Sequence, residues 1–377
     1  MGNWIVPATD KRHKNDFIRV PKLVYAREKN YIPRLNIEMR RHLSQENPYF
    51  EHAKTEFFVA YDDGVPRGRI SAQIDRKAHS PDGIKTGQFG FLDAADKKTA
   101  HGLLQVAESW LARNGCGRVR GPFSLSINEE AGLLLEGHEQ PAKMLMNYTP
   151  PWMNEVLAEA GYAKAQDLLA YTMRLDSALP PKVETIHRKL ENLENVHERA
   201  LDPKTYKSDL YTILQIYNDA WADNWGFVPM TEAEIDYTSG NLKPVLRPDL
   251  ARIAWVDGKP AAMIVALPDL NEAIADLRGA LFPFGWLKLS TRLKYKTPHA
   301  LRVVLMGVKK ELQETRLGGE LALYLIRQLH RAGNAAGIRE AEMSWVLEDN
   351  WSTDHMIRYV GGRPYKRYRI YEKLLNS

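Results

Sequence analysis

Residues 301–329 read LRVVLMGVKKELQETRLGGELALYLIRQL. Leu301 to Val308 form a near-continuous apolar run of β-branched and aliphatic side chains, the composition of a strand buried on both faces. The polar loop KKELQETR follows. Then Leu317, Leu321, Tyr324, Leu325, Ile326 and Leu329 recur at helical spacing, with Gly318 and Gly319 where loop becomes helix. The stretch reads strand, tight loop, helix. The first turn of a helix carries N–H groups without intrahelical acceptors and a partial positive charge, and small residues there let phosphates reach the backbone. Such a turn is an anion cradle, although a buried strand and an amphipathic helix that merely meet at a glycine turn have the same local sequence.

Downstream, Ala341 to Leu347 (AEMSWVL) is the next strand, followed by Glu348, Asp349 and Asn350, a short helix through Val360, the turn Gly361-Gly362, and a last strand in YKRYRIYEKLL. Upstream, ARIAWVDGKPAAMIVALPDL is a hairpin turning at Asp257 and Gly258. A helix from Lys207 ends in Asp223, Asn224, Trp225 and Gly226, and Thr231 with Glu234 opens another as a capping box.

The first half repeats this order. FFVAYDDGVPRGRISAQID is a hairpin around Asp63 and Gly64, QFGFL (88–92) is a strand, Lys97 to Arg113 a helix and Arg118 to Gly121 a strand. Pro150 to Leu175 then parallels Asn350 to Leu375, each running helix, glycine turn, strand, so the chain reads as a tandem duplication. Between Leu92 and its helix, however, the first copy has DAADKK, with no glycine and with carboxylates that repel a pyrophosphate. The basic, aromatic segment from Asp16 to Leu43, broken by Pro21 and Pro33, reads as a short lead-in followed by helix. Glu129, Glu130 and Asn128 offer an amine site, or a capped and solvated face.

In the second copy, Gln313, Arg316 and Gly318 fall where acyl-CoA-dependent N-acyltransferases of the GNAT superfamily carry Q/R-x-x-G-x-G/A, the loop that wraps the CoA pyrophosphate. Gln313 and Gly318 match, and Arg316 stands where the middle glycine is usual. Asn350 and Gly361 keep the family offset, whereas Ile357 replaces the usual tyrosine general acid. Tyr359, two positions on, points about 200° away on a helix. The strings FIRVPKLVY, GPFSLSINEE, NWGFVPMTEAE, PFGWLKL and SWVLEDNW resemble a bacterial group of tandem-GNAT proteins that includes the bacterial ceramide synthases.

That resemblance implies a mixed α/β (α+β) fold of two tandem GNAT-like acyl-CoA N-acyltransferase domains, the first lacking the CoA loop. Residues 1–176 form the first domain, 177–206 a linker and 207–377 the second. It implies acyl-CoA as cosubstrate and transfer of a long acyl chain to the amine of a sphingoid base. Met306, Gly307, Val308, Gln313, Arg316, Leu317, Gly318, Gly319 and Asn350 are the residues expected to hold CoA. Asn224 and Trp225 are expected at the acceptor, where a buried tryptophan and a turn asparagine are the plainer account. The central strand has no carboxylate beside the thioester, so Glu348 acting through water is the first choice for the base and His355 the second. No metal is expected. Acetylation of a soluble amine or polyamine, and a non-catalytic CoA-binding scaffold, are the alternatives.

A formal net charge of +5 with a pI near 9.0 favours anionic partners: CoA, nucleic acid or an anionic lipid surface. Leu277 to Lys296, LRGALFPFGWLKLSTRLKYK, joins aromatic and aliphatic bulk to five basic residues without an acid. This suits either a peripheral contact with an anionic membrane or core packing with a basic rim. Nucleic acid is not expected, because the charge is confined to one apolar stretch and no recognition motif accompanies it. A single cysteine, Cys116, rules out an intrachain disulfide framework. No apolar run approaches the ~20 residues of a membrane span, and MGNWIVPATDKRHK lacks a signal-peptide core. The expectation is a cytoplasmic protein, peripheral on the inner face of the membrane where that contact is made.

Overall fold

The computed structural model describes residues 4–243 and 245–375. In chain order the elements are β1 (Trp4–Pro7), α1 (Lys11–Val24), α2 (Asn36–His42), α3 (Tyr49–His52), β2 (Ala53–Asp62), β3 (Val65–Asp75), β4 (Thr86–Ala94), α4 (Lys97–Arg113), β5 (Arg118–Gly121), β6 (Leu133–Glu136), α5 (Trp152–Glu159) and β7 (Ala163–Arg174). They continue as α6 (Pro181–Glu191), β8 (Val196–Ala200), α7 (Tyr206–Ala220), α8 (Glu232–Leu242), β9 (Ala251–Val256), β10 (Lys259–Pro268), α9 (Asn271–Ile274), α10 (Gly285–Tyr295), β11 (Ala300–Val308), α11 (Lys310–Gln313), α12 (Arg316–Ala335), β12 (Glu340–Leu347), α13 (Trp351–Tyr359) and β13 (Arg363–Leu374).

Much of this follows from local chemistry. Asp63-Gly64 and Asp257-Gly258 have positive φ at both residues, the turn whose twist matches paired strands, and each closes its hairpin. Thr231 and Glu234 cap α8 reciprocally. One expectation is corrected: Pro21 does not break its segment but lies inside α1, which Asp10 caps through the His13 N–H at 2.9 Å. The face carrying Phe17, Ile18, Val20 and Pro21 is buried, and that burial offsets one missing backbone bond.

The chain forms two compact units. The first comprises residues 1–168, 274–286 and 366–377. Its sheet runs β1-β2-β3-β4-β5-β13, with β6 also on β13, and β13 pairs with β5 antiparallel from Tyr371↔Gly121 to Leu374↔Arg118. Phe58, Ile70, Phe89, Leu103, Leu104, Leu111, Met153 and Tyr371 fill its core. β4 and β5 are its parallel pair. Beyond β5 the chain stays against β4: the Phe123 N–H donates to Phe89 O at 2.8 Å, and a Cβ added to Gly90 would sit 1.7 Å from Phe123 O. The parallel pair here is closed.

The second unit comprises residues 169–273 and 287–365, with strand order β7-β12-β11-β10-β9-β8. On one face, Leu321, Leu325 and Leu329 of α12 pack with Ile264, Leu301, Val303, Ala341, Met343 and Ile357. On the other, Ile213, Ile216 and Tyr217 of α7 pack on Ile253, Met263 and Val265. The parallel register of β11 and β12 runs from Ala300↔Glu340 only to Val303↔Met343, although both strands continue. On its other side β11 bulges, leaving Val304 opposite the step between Val265 and Ala266. The parallel pair of this unit is open.

Candidate functional site

The opening between β11 and β12 is lined where α7 ends. Trp221, the C-cap of α7, donates its indole Nε1 to Met306 O at 3.1 Å, and its ring lies 4.9 Å from Tyr217 and 5.8 Å from Trp345 between centroids. A Cβ on Gly307 would come within 3.0 Å of Ala220 Cβ, so this glycine lets the helix end press on the strand. The structure thus brings Met306, Gly307 and Val308 against the end of α7.

The loop that follows is stitched to the same helix end. Lys310 N–H donates to Asp219 Oδ2 at 2.7 Å, and the Gln313 amide donates to Ala220 O at 2.8 Å and Val308 O at 2.9 Å. Gln313 therefore acts as a clasp for the loop. The loop is also more regular than its sequence suggests, because α11 makes one turn inside it and α12 starts at Arg316. Gly318 and Gly319 consequently lie inside the first turn of α12 rather than before it. Thr315 caps the helix by accepting the Gly318 N–H at 3.1 Å, while the N–H groups of Arg316 and Leu317 have no helical carbonyl behind them. A Cβ on Gly318 would sit 1.9 Å from Leu312 O, whereas Gly319 opens on free space. Only a glycine fits at 318, and at 319 the missing side chain leaves the backbone approachable, which fits a diphosphate at this turn. The Arg316 side chain is 86% exposed and pairs through Nε with Glu320 at 2.9 Å. Burial raises the carboxyl of Glu320, but Lys189 and Arg316 outweigh it and hold that carboxyl below the usual range.

The remaining sequence candidates are dispersed. Glu348 is half-buried in the turn after β12, and His355 is exposed on α13. Asn350 is the N-cap of α13, accepting the Thr353 N–H at 3.1 Å. Asn224 and Trp225 are half-buried in the turn after α7, where the Asn224 N–H donates to Trp221 O at 2.9 Å. Ile357 is 5% exposed in the core, while Tyr359 is 44% exposed. In the first unit, Glu129 lies 2.9 Å from His42 Nε2, and Glu130 lies 3.3 Å from Arg34, so both acids suggested for an amine already have partners.

Sequence reading missed Trp221, Trp345 and a buried polar group at the root of the opening. There Arg302 Nε donates to Ser344 Oγ at 2.9 Å, and its Nη2 donates to Ser344 O at 3.2 Å. Ser344 Oγ and the Tyr365 hydroxyl both donate to the Glu342 carboxylate. A signal existed: Arg302 is the one charge in β11 and Glu342 the one charge in β12 past its first residue, and charges are rarely buried unpaired.

No family model matches the chain. It is 41% identical over 366 residues to protein YghO of Escherichia coli, spanning 96% of this chain and 93% of that protein. It is 40% identical over 376 residues to the bacterial ceramide synthase of Caulobacter vibrioides, spanning 98% and 97%. Among solved structures, a tandem GNAT protein from the clavulanic acid biosynthesis pathway superposes with a TM-score of 0.59 at 13% identity, covering 100% of this chain and 99% of that one. A GCN5-related N-acetyltransferase from Sphaerobacter thermophilus gives 0.52 at 12%, covering 99% and 96%.

Proposed function

Because this chain belongs to the family of the bacterial ceramide synthase and YghO and has the tandem-GNAT fold, we propose that it transfers a long-chain acyl group from acyl-CoA to the amine of a sphingoid base. The observation that carries this reading is the open pair β11 and β12 beside the Gly318-Gly319 turn. The diphosphate would rest on the first turn of α12, with Gln313 fixing the loop and Arg316 reaching a phosphate oxygen. The thioester arm would enter between the strands, its carbonyl taking a main-chain N–H near Met306 to Val308. Acyl transfer needs a neutral amine. Glu348, through water, is the proposed proton acceptor, with His355 second, and Asn224 and Trp225 line the approach of the amine.

A lipid acceptor is supported by the name of the 40% identical relative and by the segment Leu277 to Lys296. Residues 285–295 form α10, which contains no buried residue. Phe282 is 79% exposed, Phe284 71%, Trp286 50% and Tyr295 73%, which argues against core packing. Aromatic side chains among lysines suit the headgroup layer of an anionic bilayer, so we place the working enzyme peripherally on the cytoplasmic face of the membrane. Among the described residues no helix is long and apolar enough to cross a membrane.

The test follows thiol release from acyl-CoAs of graded length with sphinganine or spermidine. Turnover of long chains with sphinganine is the expected result. Acetyl-CoA with spermidine would instead establish a soluble amine acceptor, and CoA binding without turnover would establish a scaffold, a reading that buried Ile357 at the usual proton-donor position favours.

A further inference from the structure

The side chains of Arg302, Glu342 and Ser344 share one face of the second unit's sheet. They alternate with Leu301, Val303, Ala341 and Met343, which pack under α12. Arg302 is 4% exposed and Glu342 0%. The register ends at Val303↔Met343, and the carbonyl of Ser344, the next residue along β12, accepts from the Arg302 guanidinium. The same guanidinium holds Ser344 Oγ and lies 3.5 Å from Glu342 Oε1. Glu342 is in turn held by Ser344 and by Tyr365 from β13. A planar fork with two simultaneous acceptors fixes position in a way a lysine cannot.

We propose that Arg302, braced by Glu342 and Tyr365, is a positioning residue: it holds β12 by the carbonyl just past the last paired residue, and so keeps β11 and β12 apart for the thioester arm. This rests on the reading that acyl-CoA enters between these strands. The main-chain groups of β11 beyond Val303 then stay available on the side that faced β12. Trp345, the residue after Ser344, is held in its approach to Trp221.

The informative variant is the pair Arg302→Met with Glu342→Leu. Replacing a buried ion pair by apolar residues of similar volume is often neutral for stability, so this variant folds with its wedge removed, whereas Arg302→Met alone strands a buried carboxylate. Arg302→Lys keeps the charge but loses the fork. Three readouts are taken on the full chain: CoA binding by calorimetry, steady-state kinetics against acyl-CoA and amine separately, and amide hydrogen exchange at Val304 to Met306. Expected for the double variant are slowed exchange at those amides and a kcat/KM lower by on the order of 100-fold, carried by the KM for acyl-CoA with the KM for the amine unchanged. Arg302→Lys is expected between parent and double variant. A double variant with parental exchange and parental CoA affinity overturns the proposal while leaving the acyltransferase reading intact. A parent protein that binds no CoA overturns both.

Discussion

The indole Nε1 of Trp221 donates to Met306 O at 3.1 Å, joining the end of α7 to β11 where that strand has left β12. Trp221→Phe keeps an aromatic ring near Trp345 but leaves the carbonyl without its donor. The expected loss is about 1 kcal/mol of unfolding free energy with a raised KM for acyl-CoA, read by urea unfolding and steady-state kinetics.

Gly318 and Gly319 are adjacent, but alanine at each should shift stability in opposite directions. Gly318→Ala drives a Cβ to 1.9 Å from Leu312 O, so α11 must move; the expected cost is ~1–3 kcal/mol with loss of CoA affinity. Gly319→Ala meets nothing within 4 Å and gains up to about 1 kcal/mol of helix propensity, yet should still weaken CoA binding by covering the backbone. Melting temperature and calorimetry on both variants separate stability from binding.

Asp209 anchors the start of α7. It accepts from Arg199 Nη1 and Nη2 at 2.7 Å each, from the Asp202 N–H at 3.1 Å and from Thr205 Oγ1 at 3.2 Å. Burial pushes its carboxyl up, but these partners outweigh it and hold it below the usual aspartate range. A depressed folded-state pKa contributes stability that is present above the unfolded value, near 3.9, and lost as pH falls through the folded value. Asp209→Asn should therefore cost most at neutral pH, with the gap to the parent narrowing below about pH 4. Denaturant unfolding at pH 7 and pH 3 checks the sign.

Glu348→Gln should lower kcat by roughly 100-fold or more if Glu348 takes the proton from the amine. His355→Ala, on an exposed side chain, should change kcat by less. An unchanged kcat in the Glu348 variant removes it as the base.

Flotation with anionic vesicles tests the exposed segment. Phe282→Ser with Phe284→Ser removes apolar insertion, and Lys294→Glu with Lys296→Glu reverses charge. Each reversed lysine should weaken attachment by ~1 kcal/mol for each charge removed, and neither pair should lower the melting temperature, because these side chains are exposed. Parental binding by both variants would count against peripheral attachment through this segment.

What could be read from sequence was local. The Asp-Gly turns, the Thr231 cap, the apolar runs of β11 and β12 and the amphipathic α12 depend on neighbours within a few residues, and the structure has them. For the first unit the sequence offered only a loop without glycine and with two carboxylates; that Phe123 O lies over Gly90, more than 30 residues away in sequence, it could not show. Arg302 with Ser344 and Trp221 with Met306 are separated by 42 and 85 positions, and no spacing rule reaches so far. Pro21 shows the opposite failure, where a strong local rule gave way to burial of the surrounding face.

Residues 366–374 of β13 complete the sheet of the unit that is made mostly of residues 1–168, with 274–286 added. During synthesis, that early half must wait on the ribosome with β5 lacking its neighbour, an exposed edge that invites chaperone binding or mispairing with a nascent copy. The half translated later has all of its residues once Tyr365 emerges, before β13 is finished. The portion made first is the portion finished last, so truncations that remove only β13 should harm the amino-terminal half most.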